Sequence, residues 1–421
     1  MSLSSRFPAL ASRDFQLFLS GQFVSVIGTW MQNTAQPYLA YRISGRPLDL
    51  GLIGFAVTLP TLLLALPAGV LIEHWDKRKA VIILQAVMAV QAFALAALTW
   101  SGHIQIWHIT VLAFLFGTAS AMEITARQAM LIELAGREAL PSAIALQTTA
   151  FNLGRILGPT LAAPLMVAGN EALVFGLNGS SFVFVIVGLL FARTRFKVQK
   201  EAEQRKGLMT EFREGLSYIR AHSVIASIIL MAVLLGFFGL PMLQQIPALG
   251  RDVLRSAQDS ETLVATRTSQ LYIAQGAGAL VAALLAALFS ASKRKGVILL
   301  FGQATFTAGL LLIGWTQQLA FAVVLLAVLG YGSVTQLVTM NTIIQMKVPN
   351  ELRGRVFAVY LWALQGVAPF GSLVIGALAQ RWGVPAAAWT GGLVVLVSMA
   401  WLHWRNPAVR RFGLSPDKTL A

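Results

Sequence analysis

The stretch DKRKAVIILQAVMAVQAFALAALTW, residues 76–100, decides the fold. Four polar residues, three of them basic, give way to a run of 21 residues, 80–100, without a single charge. That run matches the ~20 residues a helix needs to cross the ~30 Å hydrocarbon core of a bilayer. Its apolar residues are continuous rather than striped, so no one face is reserved for water. The stretch therefore reads as a helix that enters lipid at Ala80 and leaves its basic residues among the headgroups.

Eleven more segments read the same way. With 80–100 they make twelve expected spans, at 16–42, 48–72, 80–100, 107–128, 141–168, 173–192, 224–249, 263–290, 296–316, 319–346, 355–380 and 384–404. Composition agrees: 57% of the 421 residues are hydrophobic and 12% are charged, about half the charge of a soluble domain, and the mean hydropathy is +0.71. A transmembrane β-barrel alternates polar and apolar residues along short strands, and that pattern is absent. An all-α membrane protein remains. The first hydrophobic stretch lacks a small-residue cleavage site and reads as a retained helix rather than a signal peptide.

The longest polar connection, 193–223, divides the chain into an N-terminal six-helix bundle (1–192), a linker and a C-terminal six-helix bundle (224–421). Leu208, Phe212, Leu216 and Ile219 recur at helical spacing in the linker, which predicts an amphipathic helix along the membrane surface. A net charge of +15 is compatible with nucleic acid, but its distribution explains it better. With both termini cytoplasmic, 25 of the 32 basic residues fall on the cytoplasmic side. Six (Arg42, Arg46, Arg251, Arg255, Arg267 and Arg381) fall on the other, and Arg155 alone lies inside a span. This is the positive-inside asymmetry of a multi-pass protein, with the lipid bilayer and no nucleic acid as partner.

The two halves repeat. A shift of 213 residues places Gly117 on Gly330, Ser120 on Ser333, Glu138 on Glu351 and Gly158 on Gly371, while a shift of 216 places Asp76-Lys-Arg-Lys79 on Ser292-Lys-Arg-Lys295. Two repeats of six helices around a cavity near the membrane midplane is an architecture of secondary transporters.

Three stretches carry a likeness to a known family. The first is Gly28-Thr-Trp-Met-Gln32 with Gly69-Val-Leu-Ile-Glu-His-Trp-Asp-Lys-Arg78. The second runs from Glu123-Ile-Thr-Ala-Arg-Gln128 through Glu133-Leu-Ala-Gly-Arg-Glu138, Ala143-Ile-Ala-Leu146 and Phe151-Asn152 to Arg155 and Gly158-Pro159. The third is Val348-Pro-Asn-Glu-Leu-Arg-Gly-Arg-Val356 with Gly371. Together they resemble the bacterial transmembrane secretion effector branch of the major facilitator superfamily, which includes an enterobactin exporter and macrolide efflux pumps. The resemblance implies a monomeric multi-pass protein of the cell inner membrane that exports a small molecule in exchange for protons. It also implies a cytoplasmic latch at Gly69, Glu73, Asp76 and Arg78, and an antiporter-like motif at Gly154, Gly158 and Pro159. The chain departs from the pattern at Glu73, where Asp is usual, and at Ala162-Ala163, where the motif has glycine.

Intramembrane polarity marks the candidate site. Glu123 and Arg127 are one turn apart with the acid first, the favourable order for a pair. One reading makes Glu123 a proton carrier; the other makes the pair a fixed gate. Arg155 either attracts an anionic substrate group or bridges helices, because a lone charge in lipid is expensive. Thr148 and Asn152 share its helix face. Gln22, Ser25, Thr29, Asn33 and Gln36 form a polar stripe on the first helix, unsuited to lipid. With Gln244, Gln245, Gln270, Gln275, Gln336 and Thr339 they are expected to line the cavity, and Trp30, Phe237, Phe238, Tyr272 and Trp362 to add aromatic walls. Neutral amides and aromatics suit an amphipathic organic molecule.

No enzyme motif is present: no phosphate-binding glycine-lysine loop, no nucleophile elbow and no metal-spaced histidine pair. With zero cysteines there is no thiolate metal site, and no cofactor is expected. Two alternatives stay open: a lipid or lysolipid flippase of the same fold, and a non-transporting scaffold.

Overall fold

The computed structural model describes residues 7–64, 72, 75–194, 208–254 and 259–413. The helices are α1 (Arg13–Ser44), α2 (Pro47–Leu64), α3 (Lys77–Trp100), α4 (Ile106–Ala135), α5 (Leu140–Val167) and α6 (Glu171–Phe191). Then come α7 (Leu208–Ala221), α8 (Ser223–Leu243), α9 (Glu261–Leu288), α10 (Lys295–Ile313), α11 (Leu319–Lys347), α12 (Asn350–Gly366) and α13 (Ala368–Arg405).

Local chemistry sets their ends. Asp76 accepts from the Lys79 amide and caps α3, and Asn170 accepts from the Leu173 amide and caps α6. Gly136 ends α4 at φ 81°, a conformation open to glycine. In α8 the turn Leu235–Gly239 widens to π geometry.

Among the described residues, nine stretches are long and apolar enough to cross a membrane. The last, Asn350–Arg405, has 56 residues, and α13 breaks within it at Gly383, φ 85°. It therefore holds two crossings. The other two spans of the twelve are α1 and α5, long enough at 32 and 28 residues but less apolar. They are the helices with the polar stripe and Arg155.

The chain forms two compact units. Unit 1 is Met1–Ser44, Ala56–Gln204 and Ser260–Ser269; unit 2 is Gly45–Phe55, Arg205–Asp259 and Gln270–Ala421. Lipid offers little hydrophobic drive for helices to associate, so close backbone approach must hold them together. The repeated glycines supply it. Gly117 of α4 lies against the Val57 carbonyl of α2, and its counterpart Gly330 of α11 against the Gln275 carbonyl of α9. Gly158 of α5 lies on Trp30 of α1, and Gly371 of α13 on the Phe237 carbonyl of α8. A β-carbon at any of these four would collide with its neighbour. The offset read from the sequence thus marks one packing solution used twice.

Inside unit 1 an amide network joins three helices. Gln32 of α1 donates to Gln36 (3.0 Å) and to Gln91 of α3 (3.3 Å), and accepts from Asn178 of α6 at 2.8 Å. Ser181 donates to the Asn178 side chain at 3.2 Å. Asn178 and Gln91 are fully buried. Replacing Asn178 by leucine, similar in shape, strands the Gln32 carbonyl away from water. We expect a loss of about 1–3 kcal/mol of stability, read as a lowered thermal unfolding temperature in detergent.

Helix α7 is where the linker periodicity predicts it, but its apolar face meets protein. Phe212 packs edge-on to Trp362 of α12 at 5.7 Å, Gly215 lies on the Arg355 backbone, and Ile219 is buried. A Glu214–Arg355 ion pair adds a polar clasp. The Tyr218 hydroxyl reaches the Lys347 carbonyl, and partial burial raises its pKa, so the phenol stays neutral.

Candidate functional site

Three places in unit 1 hold the charged residues expected at the site. The first is around Glu123, which is 4% exposed and stands twelve residues before the end of α4, about 18 Å along the helix. The span expected at 107–128 continues two turns further, to Ala135, so Glu123 is deeper in the helix than its sequence context suggests. Arg127 Nε donates to both carboxylate oxygens, at 3.1 and 3.3 Å, and Gln85 of α3 donates at 3.2 Å. Arg127 Nη1 also reaches Gln147 of α5 at 3.5 Å. One ion pair thus ties three helices together, and both oxygens of Glu123 are engaged.

The second place is the α1–α5 contact. Gly154 and Gly158 let α5 press against Val26 and Trp30, and Pro159 follows within the helix. That approach brings the half-buried Arg155 over the Trp30 ring, 5.4 Å from guanidinium carbon to centroid. Phe151, half exposed, meets the same indole edge-on at 5.6 Å. Arg155 Nε is buried with no hydrogen-bond partner, and no carboxylate pairs with Arg155 among the described residues. The contact with Trp30 is what joins Arg155 to another helix among the described residues, and it is not an ion pair. Of the polar residues expected on α1 and α5, Thr148 and Asn33 are exposed, and Thr29 and Asn152 are half-buried. Thr148 bonds the Ile144 carbonyl and Asn152 the Thr148 carbonyl, so both are tied to their own helix. The arrangement sets a guanidinium on an aromatic ring without a carboxylate partner among the described residues, which suits an organic anion.

The third place is the end of unit 1 nearest residue 13. Asp76 serves as the α3 cap, Arg78 donates to the Leu190 carbonyl of α6 at 2.8 Å, and Lys77 pairs with Glu133 of α4. Asp14 accepts from the Arg193 and Thr194 amides and the Thr194 hydroxyl, at 2.9, 2.7 and 2.6 Å. Gly69 and Glu73 of the expected latch lie outside the described residues.

The other expected cavity residues are scattered. Gln22, Ser25 and Gln36 are buried, and Gln36 joins the amide network. In unit 2, Gln244 presses on Gly54, and Gln245 donates weakly to the Pro47 carbonyl at 3.4 Å. Gln275 and Gln336 are 7% and 2% exposed, while Gln270 is exposed.

Sequence reading missed two buried contacts. His403 of α13 meets Gln303 of α10 at 2.7 Å, with both side chains buried. Glu171 of α6, with no exposed surface, pairs with Arg42 of α1 at 3.0 Å. Arg42 entered the sequence argument only as one of the few basic residues on the far side.

The chain can now be set beside known proteins. A family model described as transmembrane secretion effector matches residues 4–416. Multidrug efflux pump Tap from Mycolicibacterium fortuitum is 25% identical over 386 residues, covering 88% of this chain and 90% of that protein. Enterobactin exporter EntS from Escherichia coli O1:K1 / APEC is 22% identical over 410 residues, covering 97% and 95%. Among solved structures, a bacterial homolog of the human lysosomal transporter Spinster superposes with a TM-score of 0.69 at 13% identity, covering 95% of this chain and 98% of that one. At that identity the structure speaks for the fold alone. The chain belongs to the transmembrane secretion effector family, and its twelve spans have the major facilitator fold.

Proposed function

We propose that this protein is a secondary transporter that exports a small amphipathic organic molecule bearing an anionic group, in exchange for protons, by alternating access. The observation that carries the reading is Arg155, a guanidinium over the Trp30 ring with no carboxylate partner among the described residues. A half-buried intramembrane charge kept without a counter-ion among the described residues is explained when the counter-ion is the cargo. Relatives named for multidrug efflux and enterobactin export support outward transport of organic molecules. Proton exchange is the drive we infer, with residues 1–192 and 224–421 as the moving halves and 193–223 as their cytoplasmic link. Both termini then face the cytoplasm, and the protein works as a monomer in the inner membrane. Such an exporter has no enzymatic step.

The test uses proteoliposomes with 2-naphthalenesulfonate, which stays anionic at every working pH, and its neutral sulfonamide. An imposed pH gradient should drive protein-dependent flux of the sulfonate, and a protonophore should stop it. Flux that ignores the gradient would contradict proton exchange. Preference for the sulfonamide would contradict an anionic cargo.

A further inference from the structure

Among the described residues, unit 1 holds one carboxylate without exposed surface, and the proposed site does not use it. Glu171 opens α6 and has no exposed surface. Its Oε2 accepts from Arg42 Nη2 at 3.0 Å, while its Oε1, also buried, has no hydrogen-bond partner among the described residues. Arg42 comes from the last turn of α1 and lies 6.0 Å from the Tyr38 ring centroid. The Tyr38 hydroxyl reaches the Glu261 carbonyl at 3.4 Å, and Glu261 is the other charge within electrostatic reach of Glu171. The neighbouring helix ends, Gln91–Trp100 of α3 and Leu161–Val167 of α5, carry no charged residue. One cation and the residue's own backbone amide therefore hold this carboxylate against burial, a second acid opposes it, and its Oε1 keeps acceptor capacity to spare.

From this geometry we infer that Glu171 is a proton-binding site at the end of unit 1 opposite the Asp14–Thr194 contact. A proton added to Oε1 neutralises the carboxylate and weakens its hold on Arg42. Arg42 shares α1 with Trp30, twelve residues away, and Pro37 lies between them. Proline deletes a backbone hydrogen bond and makes that part of α1 the place where it can bend. Protonation at Glu171 thereby reaches the ring that faces Arg155. The inference rests on proton exchange as the drive; the binding of a proton does not.

Two measurements separate the two claims. The first is a pH titration of the carboxylic-acid C=O band by infrared spectroscopy on the full chain in lipid. The wild type should show a titrating band that Glu171→Gln lacks and that the surface control Glu138→Gln keeps. Arg42→Gln should move its midpoint to higher pH by about one unit or more, since the stabilising cation is gone. If Glu171→Gln does not fold, Glu171→Asp should keep the titration and shift the band frequency. An unchanged band in Glu171→Gln, or its loss in Glu123→Gln instead, would overturn the site. The second is gradient-driven naphthalenesulfonate flux. A band that titrates without gradient-driven flux would sink the exchange reading and leave the proton site standing. Flux with no Glu171 band would do the reverse.

Discussion

Replacing Gly158 with leucine should leave little or no folded protein, the largest effect expected of any single change on α5. A β-carbon at this position would already collide with the Trp30 Cβ and backbone, and leucine adds three more carbons. Overpacking a filled interior is worth about 1–3 kcal/mol against folding, sometimes more, and here the obstacle is backbone, which cannot rotate away. We expect a loss above ~3 kcal/mol, seen as aggregated material on size-exclusion chromatography. Gly371→Leu should do the same in unit 2, where the obstacle is the Phe237 carbonyl. Gly354→Ala is the control, because a β-carbon there meets nothing within 4 Å. Monodisperse, thermally unaltered Gly158→Leu protein would show that the α1–α5 approach is not what the structure describes.

Breaking the Glu123–Arg127 pair should be nearly as damaging, and the pattern of damage separates gate from proton carrier. Glu123→Gln leaves Arg127, 19% exposed, without its only ion-pair partner among the described residues. Removing one member of a buried pair typically destabilises by about 3–5 kcal/mol, whereas replacing both can be nearly neutral. Arg127→Gln alone should be equally harmful, and the double variant Glu123→Gln, Arg127→Gln should recover most of the loss in thermal unfolding. A proton carrier behaves differently. Glu123→Gln would then keep its stability and lose gradient-driven flux, and adding Arg127→Gln would rescue nothing.

How far the sequence reaches can be judged residue by residue. The spans were readable because lipid leaves a continuous apolar signature, and the break at Gly383 separates the last two, which the sequence placed at 355–380 and 384–404. The glycine offset was readable because close helix approach tolerates only one side chain size. The stripe on α1 was only half informative. Its spacing identifies a common face, but helices pack on both flanks of α1, so Gln22 and Gln36 are buried while Asn33 is exposed. Periodicity cannot say which neighbour covers which residue. The Gln32–Gln91–Asn178 network was invisible for a related reason: each helix contributes one or two isolated amides, and only tertiary packing brings them together. Glu171 and Arg42 are 129 residues apart and each resembles an ordinary headgroup charge at a helix end. Helix α7 shows the same limit, since its apolar period fits lipid or protein equally and Trp362 decides for protein.

The central claim is that Arg155 is kept for an anionic cargo. Equilibrium binding of 2-naphthalenesulfonate and of its neutral sulfonamide, measured on wild type, Arg155→Lys and Arg155→Gln, tests it most directly. A hydrogen bond to a charged group contributes about 1.5–3 kcal/mol, so Arg155→Gln should weaken sulfonate binding by roughly 10- to 100-fold. Arg155→Lys should fall between, because it keeps the charge and loses the planar fork. Sulfonamide affinity and thermal stability should be unchanged in both variants. Equal sulfonate affinity across the three proteins, or a matching loss for the sulfonamide, would make Arg155 a structural residue and contradict the proposal.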